Sequence, residues 1–347
     1  VSPLAVSSLR AESSPLAAVG IPRLHVGDLF AALVDWLTNN LGAVFDAIGS
    51  AIGWTVGGLA GFFSAPAIIG LAIVFGLLGL ALRGWKWGVA ALVITGVLGY
   101  LAALGGVPPA FVLAVAFGVL GLAIRGWKFG LFAVVAFALI DSMGLWKPAM
   151  DTLALVLVAS LVAVVLAIPI GIAAGRSDTF SRIVKPVLDL MQTMPAMVYL
   201  IPSIFLFSIG VVPGVVATVI FAMAPGVRLT ELGIRQVDKE VVEAGEAFGA
   251  PPGRILGRIQ LPLALPTIMA GVNQVIMLAL SMVVIAGLVG AGGLGGEVYT
   301  SISTIDLAGG FEAGLAVVVL AVYLDRLTAS LTSRSAVVRA QAAASNR

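Results

Sequence analysis

Residues able to do chemistry are scarce in this chain. Its 347 residues contain no cysteine and a single histidine, His25. That removes disulfides, thiolate chemistry and Cys-based metal sites, and leaves no two-histidine zinc motif. None of Lys86, Lys128, Lys147, Lys185 or Lys239 follows a glycine, so a phosphate-cradling loop ending in Gly-Lys-Ser/Thr is absent. "GLVGAGGLGG" at 287–296 is glycine-rich but lacks the strand and the lysine of such a loop. It reads as close helix packing or a pliable outer mouth. With no paired carboxylates inside an apolar run, a membrane enzyme has no constellation to use. Polar groups inside apolar runs are what is left: Gln192, Thr193 and Tyr199 in one, Asn273, Gln274 and Ser281 in another. Such groups face a bundle interior or a cavity, which makes them candidates for lining a substrate pathway. Interhelical hydrogen bonding explains them equally well.

A second candidate is "EVVEAGEAFGAPPGRILGRIQLPLALP" at 240–266, the longest charged stretch in the chain. Asp238 can cap a helix over 239–248 by accepting from its first-turn amides. Val237, Val241, Ala244 and Phe248 then share a face, while Lys239, Glu240, Glu243 and Glu246 fall largely on others. Gly249 supplies a left-handed stop, and Pro251 suits the first turn of a second helix. That helix sets Ile255 and Ile259 on one side and Arg254 and Arg258 on another. Pro262 and Pro266 are expected to break the chain before the next apolar run. A compact helix-turn-helix knob results.

The elements that must position these groups are membrane spans. Hydrophobic residues make up 60% of the chain, charged residues only 10%, and mean hydropathy is +1.14; soluble domains carry roughly 25% charged residues. Runs long enough to cross a bilayer, about 17 to 25 helical residues, lie near 64–82, 88–105, 108–124, 129–146, 152–175, 190–209, 213–228, 266–290 and 311–330. Of the 19 Lys and Arg, all but Arg10, Arg23 and Lys147 fall in every second gap or the tail. The positive-inside rule makes those gaps cytoplasmic. Nine crossings follow, with the N-terminus outside, the C-terminus inside and the knob at the cytoplasmic face. The scattered basic groups form no continuous face for nucleic acid. Glu297, Asp306 and Glu312 fall outside.

"FGLLGLALRGWKWG" at 75–88 recurs as "FGVLGLAIRGWKFG" at 117–130, which predicts a duplicated helical hairpin with Trp85, Trp87 and Trp127 at headgroup level. Gly171 and Gly175 form a small-residue packing face. Before the spans, Leu29, Leu33, Leu37, Leu41, Val44, Ile48 and Ile52 make one apolar helical stripe over 26–52, expected to lie along the outer membrane surface, with packing against the chain's own spans the alternative. The first 24 residues show no cleavable signal. The predicted organisation is an external segment at 1–63, duplicated transmembrane hairpins at 64–147, a core at 148–330 containing the knob at 237–262, and a polar, basic tail at 331–347 in contact with lipid or without fixed structure.

Glu243-Ala244-Gly245, then Gly249, then Ile259-Gln260-Leu261-Pro262 resembles the E-A-A-x3-G-x9-I-x-L-P loop of ABC importer permeases. Gly245 stands where the usual pattern has alanine; since both are small, the docking surface is expected to be unaffected. Residues 152–328 resemble the permease subunit of glycine betaine/proline importers of the osmoprotectant class. The resemblance is carried by "PVLDLMQTMPAMVYLIP", "GVVPGVV", "LPLALPTIMAGVNQVIMLALSMVVIAGLVGAGGLG" and "LDRLT". It implies an all-α polytopic membrane protein with a type I ABC importer permease core and additional N-terminal transmembrane hairpins, in a bacterial inner membrane. It also implies that the loop docks on an ABC ATPase subunit, with Glu243, Ala244, Gly245, Phe248, Gly249, Ile259, Leu261 and Pro262 carrying the coupling. ATP and Mg would sit on that partner, not on this chain. A second permease copy, forming a homodimer, and an extracytoplasmic substrate-binding protein complete the implied assembly. No tight Trp/Tyr cluster is apparent in the core spans, which puts selectivity for a quaternary amine in the binding protein. The rival class is an ion-gradient-driven secondary transporter or channel, which normally buries an ionisable group at mid-membrane.

Overall fold

The computed structural model describes residues 26–64, 73–75, 77, 85–104 and 108–333, and among them all regular structure is helical. In chain order the helices are α1 (Val26–Ser64), α2 (Trp85–Ala103), α3 (Pro109–Arg125), α4 (Trp127–Ser142), α5 (Trp146–Arg176), α6 (Asp178–Thr193) and α7 (Leu200–Phe207). They continue as α8 (Val211–Arg235), α9 (Lys239–Ala247), α10 (Pro252–Ile255), α11 (Leu261–Ser281), α12 (Val283–Gly287), α13 (Gly293–Thr304) and α14 (Leu307–Ser333). The chain divides into two units, 1–45 and 46–347.

Within the first unit the described part is the opening of α1, where Leu29, Leu33 and Leu41 are exposed. The predicted stripe ended near residue 52, but α1 continues to Ser64 and over Gly27–Ser64 is long and apolar enough to cross a membrane. Charges at Asp28, Asp35 and Asp46 make its first part read as a stripe, whereas residues 53–63 carry none.

The larger unit is built on α5, α8 and α11, which approach closely because glycines stand at their crossings. A Cβ placed on Gly171 would lie 2.5 Å from Thr230 Cβ, and one on Gly175 would lie 3.1 Å from Ile234. Gly226 is equally confined by Ala167 at 2.9 Å and Val275 at 3.0 Å. In a membrane, where lipid competes equally for apolar surface, such close backbone approach is what holds helices together. The small-residue face read from Gly171 and Gly175 is thus the α5–α8 contact.

Helices α3 and α4 form the predicted hairpin of the second repeat copy, with the turn at Gly126 at φ +101. Most of the first copy and most of the run at 64–82 lie outside the described residues. Phe117 stacks on Phe137 at 4.5 Å, and Tyr323 meets Phe137 edge-on at 5.1 Å. Phenylalanine therefore dominates the aromatic cluster, which also takes in Trp146 and the fully buried Tyr323; the sequence reading missed it because its rings come from α3, α4, α5 and α14. "GLVGAGGLGG" packs tightly: a Cβ on Gly295 would be 2.0 Å from Val283 O, and Leu294 N–H donates to Thr152 Oγ1 at 2.8 Å.

Two expectations are corrected. The run at 190–209 is not one straight span, since α6 and the segment from Ala196 to Phe207 meet at 107°. Pro195 forces Met194 into an extended conformation (ψ 134) and ends α6 there. Nor do Pro262 and Pro266 break the chain. A π-helical turn at Leu256–Gln260 leads directly into α11, Pro262 sits in its first turn, and Pro266 lies inside the helix. Because the helix runs on from Pro252 to Gly287, Pro262 and Pro266 each deprive one carbonyl of its regular donor without ending it, and the π-turn just before Pro262 is a place where such a mismatch is absorbed. Among the described residues five helices are long and apolar enough to span, six if the bent pair counts as one, against the nine crossings expected. Helices α2, α3 and α4, of 19, 17 and 16 residues, occupy three further expected runs at the lower end of the length a crossing needs.

Candidate functional site

The knob forms as a local consequence of its end residues. Asp238 caps α9 by accepting from Glu240 N–H at 3.0 Å. At the other end Gly249 adopts φ +74, its N–H donates to Glu246 O at 2.8 Å, and Ala250 N–H donates to Gly245 O at 3.1 Å. That is a Schellman stop, and its left-handed residue favours glycine. Pro251 is the cap of α10 and Pro252 its first residue, one position later than expected.

Gly245 is the contact between the two short helices. A Cβ there would meet Ile259 Cδ1 at 2.8 Å and Ile255 Cγ1 at 3.6 Å. A side chain at this half-exposed position would therefore point toward the Ile255 and Ile259 side of the second helix, so the usual alanine would first meet Ile259. Ile255 is buried and Ile259 half-buried. Leu261, with Val237 and Leu256, packs against Ile234, Ala264 and Ile268 and roots the knob on α8 and α11. Pro262 is half-buried beside it.

What the knob presents is apolar where it has no partner in this chain. Phe248 is 92% exposed, and Val241 and Ala244 are exposed with it on α9, which buries none of its residues. Glu243 is exposed, as are Glu240 and Glu246. An aromatic held this far from its own fold on a capped helix has the chemistry of an anchor for a groove on another protein.

The polar groups chosen from the spans do not converge. Gln192 and Thr193 are exposed at the end of α6, and the Thr193 hydroxyl donates within its own helix to Asp189 O at 3.0 Å. Tyr199 is buried with its hydroxyl donating to Met191 O at 2.7 Å. Gln274 is exposed. Ser281, also exposed, donates back to Met277 O at 3.1 Å. Asn273 bridges α11 to α14: its amide donates to Asp325 Oδ1 at 3.1 Å and its carbonyl accepts from Thr328 Oγ1 at 2.6 Å. A cavity of about 410 Å³ lies elsewhere, lined by Leu59, Phe62, Phe117, Leu153, Tyr323 and other apolar residues. The Tyr323 hydroxyl is committed to Phe117 O at 3.2 Å, so a zwitterion's carboxylate would find no donor there. Among the described residues no group of three or more His, Cys, Asp or Glu could hold a metal ion.

Sequence reasoning missed Glu231, a nearly buried carboxylate, and Asp325, the partner of Asn273. Glu231 carried a signal, since it stands four residues before Arg235 on one helix face. Asp325 carried one too, as a lone acid late in the apolar run of α14.

Residues 167–337 match the family described as binding-protein-dependent transport system inner membrane component. Over 314 residues the chain is 44% identical to the glycine betaine transport system permease protein OpuAB of Bacillus subtilis (strain 168), covering 90% of this chain and 95% of that protein. Over 317 residues it is 49% identical to the glycine betaine/carnitine transport permease protein GbuB of Listeria monocytogenes serotype 1/2a (strain 10403S), covering 91% and 98%. An inward-facing structure of the MetNI methionine ABC transporter aligns at 25% identity and a TM-score of 0.48, over 56% of this chain and 95% of that one. Identity sustained over nearly the full length of two curated relatives, together with the family match across α5–α14, establishes that the chain belongs to the binding-protein-dependent transport system inner membrane components, as a permease subunit of the osmoprotectant ABC importer class.

Proposed function

We propose that this permease carries glycine betaine, or a closely related quaternary amine, inward across a bacterial inner membrane, driven through α9 by a separate ATPase that binds ATP and Mg. The observation that carries the coupling role is the exposed Val241, Ala244 and Phe248 face on a helix fixed at both ends. The substrate rests on the names of the two near-full-length relatives. Two copies of the chain form the pore, and an external binding protein delivers the solute. The positive-inside rule puts the C-terminus inside, and the N-terminus is then outside if α1 lies along the membrane and inside if α1 crosses it. Closure of the ATPase subunits shifts both knobs, and the spans respond as a two-state rigid-body change.

The test is reconstitution with the ATPase and the loaded binding protein in vesicles. Uptake of radiolabelled glycine betaine should require ATP and all three components. Uptake that persists without ATP and follows an imposed ion gradient would transfer the protein to the secondary-transporter class.

A further inference from the structure

Glu231 lies in the last turns of α8, just before the chain leaves for the knob. It is 5% exposed, an unusual position for a carboxylate, and three groups converge on its Oε1. Ser181 Oγ donates at 2.7 Å, Arg235 Nε at 2.9 Å, and Lys185 Nζ lies at 3.5 Å. Ser181 and Lys185 belong to α6. Arg235 extends the set by donating Nη1 to Asp178 Oδ1 at 2.7 Å and Nη2 to Ala174 O at 2.8 Å, at the start of α6 and the end of α5. Arg228 pairs with Asp189, making a further link between α8 and α6.

The same turn of α8 carries Ile234, which packs with Val237, Leu256 and Leu261 at the root of the knob. One side of this turn is therefore tied to α6 by charge, and the other carries α9 and α10 through apolar contact. The two kinds of contact differ mechanically. Apolar helix faces slide over one another at small cost, whereas a buried carboxylate oxygen that accepts from a guanidinium Nε and a hydroxyl has one good geometry, and losing a partner leaves a charge underpaired. At its far end α6 stops at the Met194–Pro195 break.

We propose that Glu231 is the positioning residue that makes α6 move as one body with the knob-bearing end of α8, so that a displacement of α9 reaches the break at Pro195. This rests on the coupling role given to the knob above. Glu231 touches neither the solute nor the ATPase; it acts by fixing one helix to another.

The experiment reads uptake and ATP hydrolysis side by side in vesicles holding the full complex. Glu231→Gln keeps the shape and removes the charge. Solute taken up per ATP hydrolysed is expected to fall about 5-fold or more, with hydrolysis retained. Arg235→Lys keeps a cation beside Glu231 but loses the fork to Asp178 and Ala174, and should lower the same ratio less. An assembled Glu231→Gln complex with the wild-type ratio would overturn the proposal, and so would a parallel loss of uptake and hydrolysis, which marks a merely structural role. If Glu231→Gln fails to assemble, the Arg235→Lys ratio decides by the same criterion. Wild-type uptake that needs no ATP would instead refute the proposed function, so the two failures are distinct.

Discussion

Asn273 separates two roles that residue type alone leaves equal. A polar group midway along an apolar helix can face a pathway or join two helices, and here both ends of its amide are used by α14, on Asp325 and Thr328. Its replacement by leucine would leave the Asp325 carboxylate without that donor in a half-buried setting. Asn273→Leu is therefore expected to lower the unfolding free energy of the purified chain by about 1 to 2 kcal/mol, read by thermal unfolding in detergent, while the KM for uptake stays unchanged. A raised KM without loss of stability would return Asn273 to the pathway. The residue was visible in the sequence, but its partner was not. Which face of α11 meets α14 depends on helix rotation, and no local pattern fixes the rotation of one span against another 52 residues away.

At the scale of elements, the parts of the knob set by local chemistry were readable and the parts set by packing were not. Asp238 and Gly249 act through their own neighbouring amides and carbonyls, so their types and positions specify the helix between them. Gly245 depends on where α10 returns, and only the structure turns it toward Ile259. The break at Pro195 is the converse case. Four prolines lie inside helices α5, α6, α8 and α11 without ending them, so proline alone could not mark Pro195 as the place where the chain bends. The knob's outer face yields a sharp test. Phe248→Ala removes a side chain that is 92% exposed, so stability should move by no more than about 0.5 kcal/mol. If Phe248 anchors the ATPase, the variant should lose at least about 2 kcal/mol of binding, a factor of roughly 30 in affinity for the ATPase subunit, as measured by co-purification titration. Unchanged affinity would remove Phe248 from the docking surface.

For the molecule as a whole, two independent quantities carry the reading: low charge gives membrane residence, and the uneven distribution of that charge predicts a sidedness. Neither depends on how the helices pack, which is why class was legible while the course of α1 and the bend after α6 were not. Sidedness has a direct check, because the chain contains no cysteine and any single substitution gives one label. Glu243 and Glu297 are both exposed, one on the knob and the other on α13 near the Gly-rich turn. With one candidate span, Pro252–Gly287, between them, they are expected on opposite faces, and the positive-inside rule applied to the basic residues flanking the knob predicts Glu243 inside. A membrane-impermeant maleimide added to intact cells should label Glu297→Cys and spare Glu243→Cys, and inside-out vesicles should reverse the pattern. Labelling of Glu243→Cys from outside would put the knob beyond the reach of any ATP-consuming partner, and the transport scheme would fail with it.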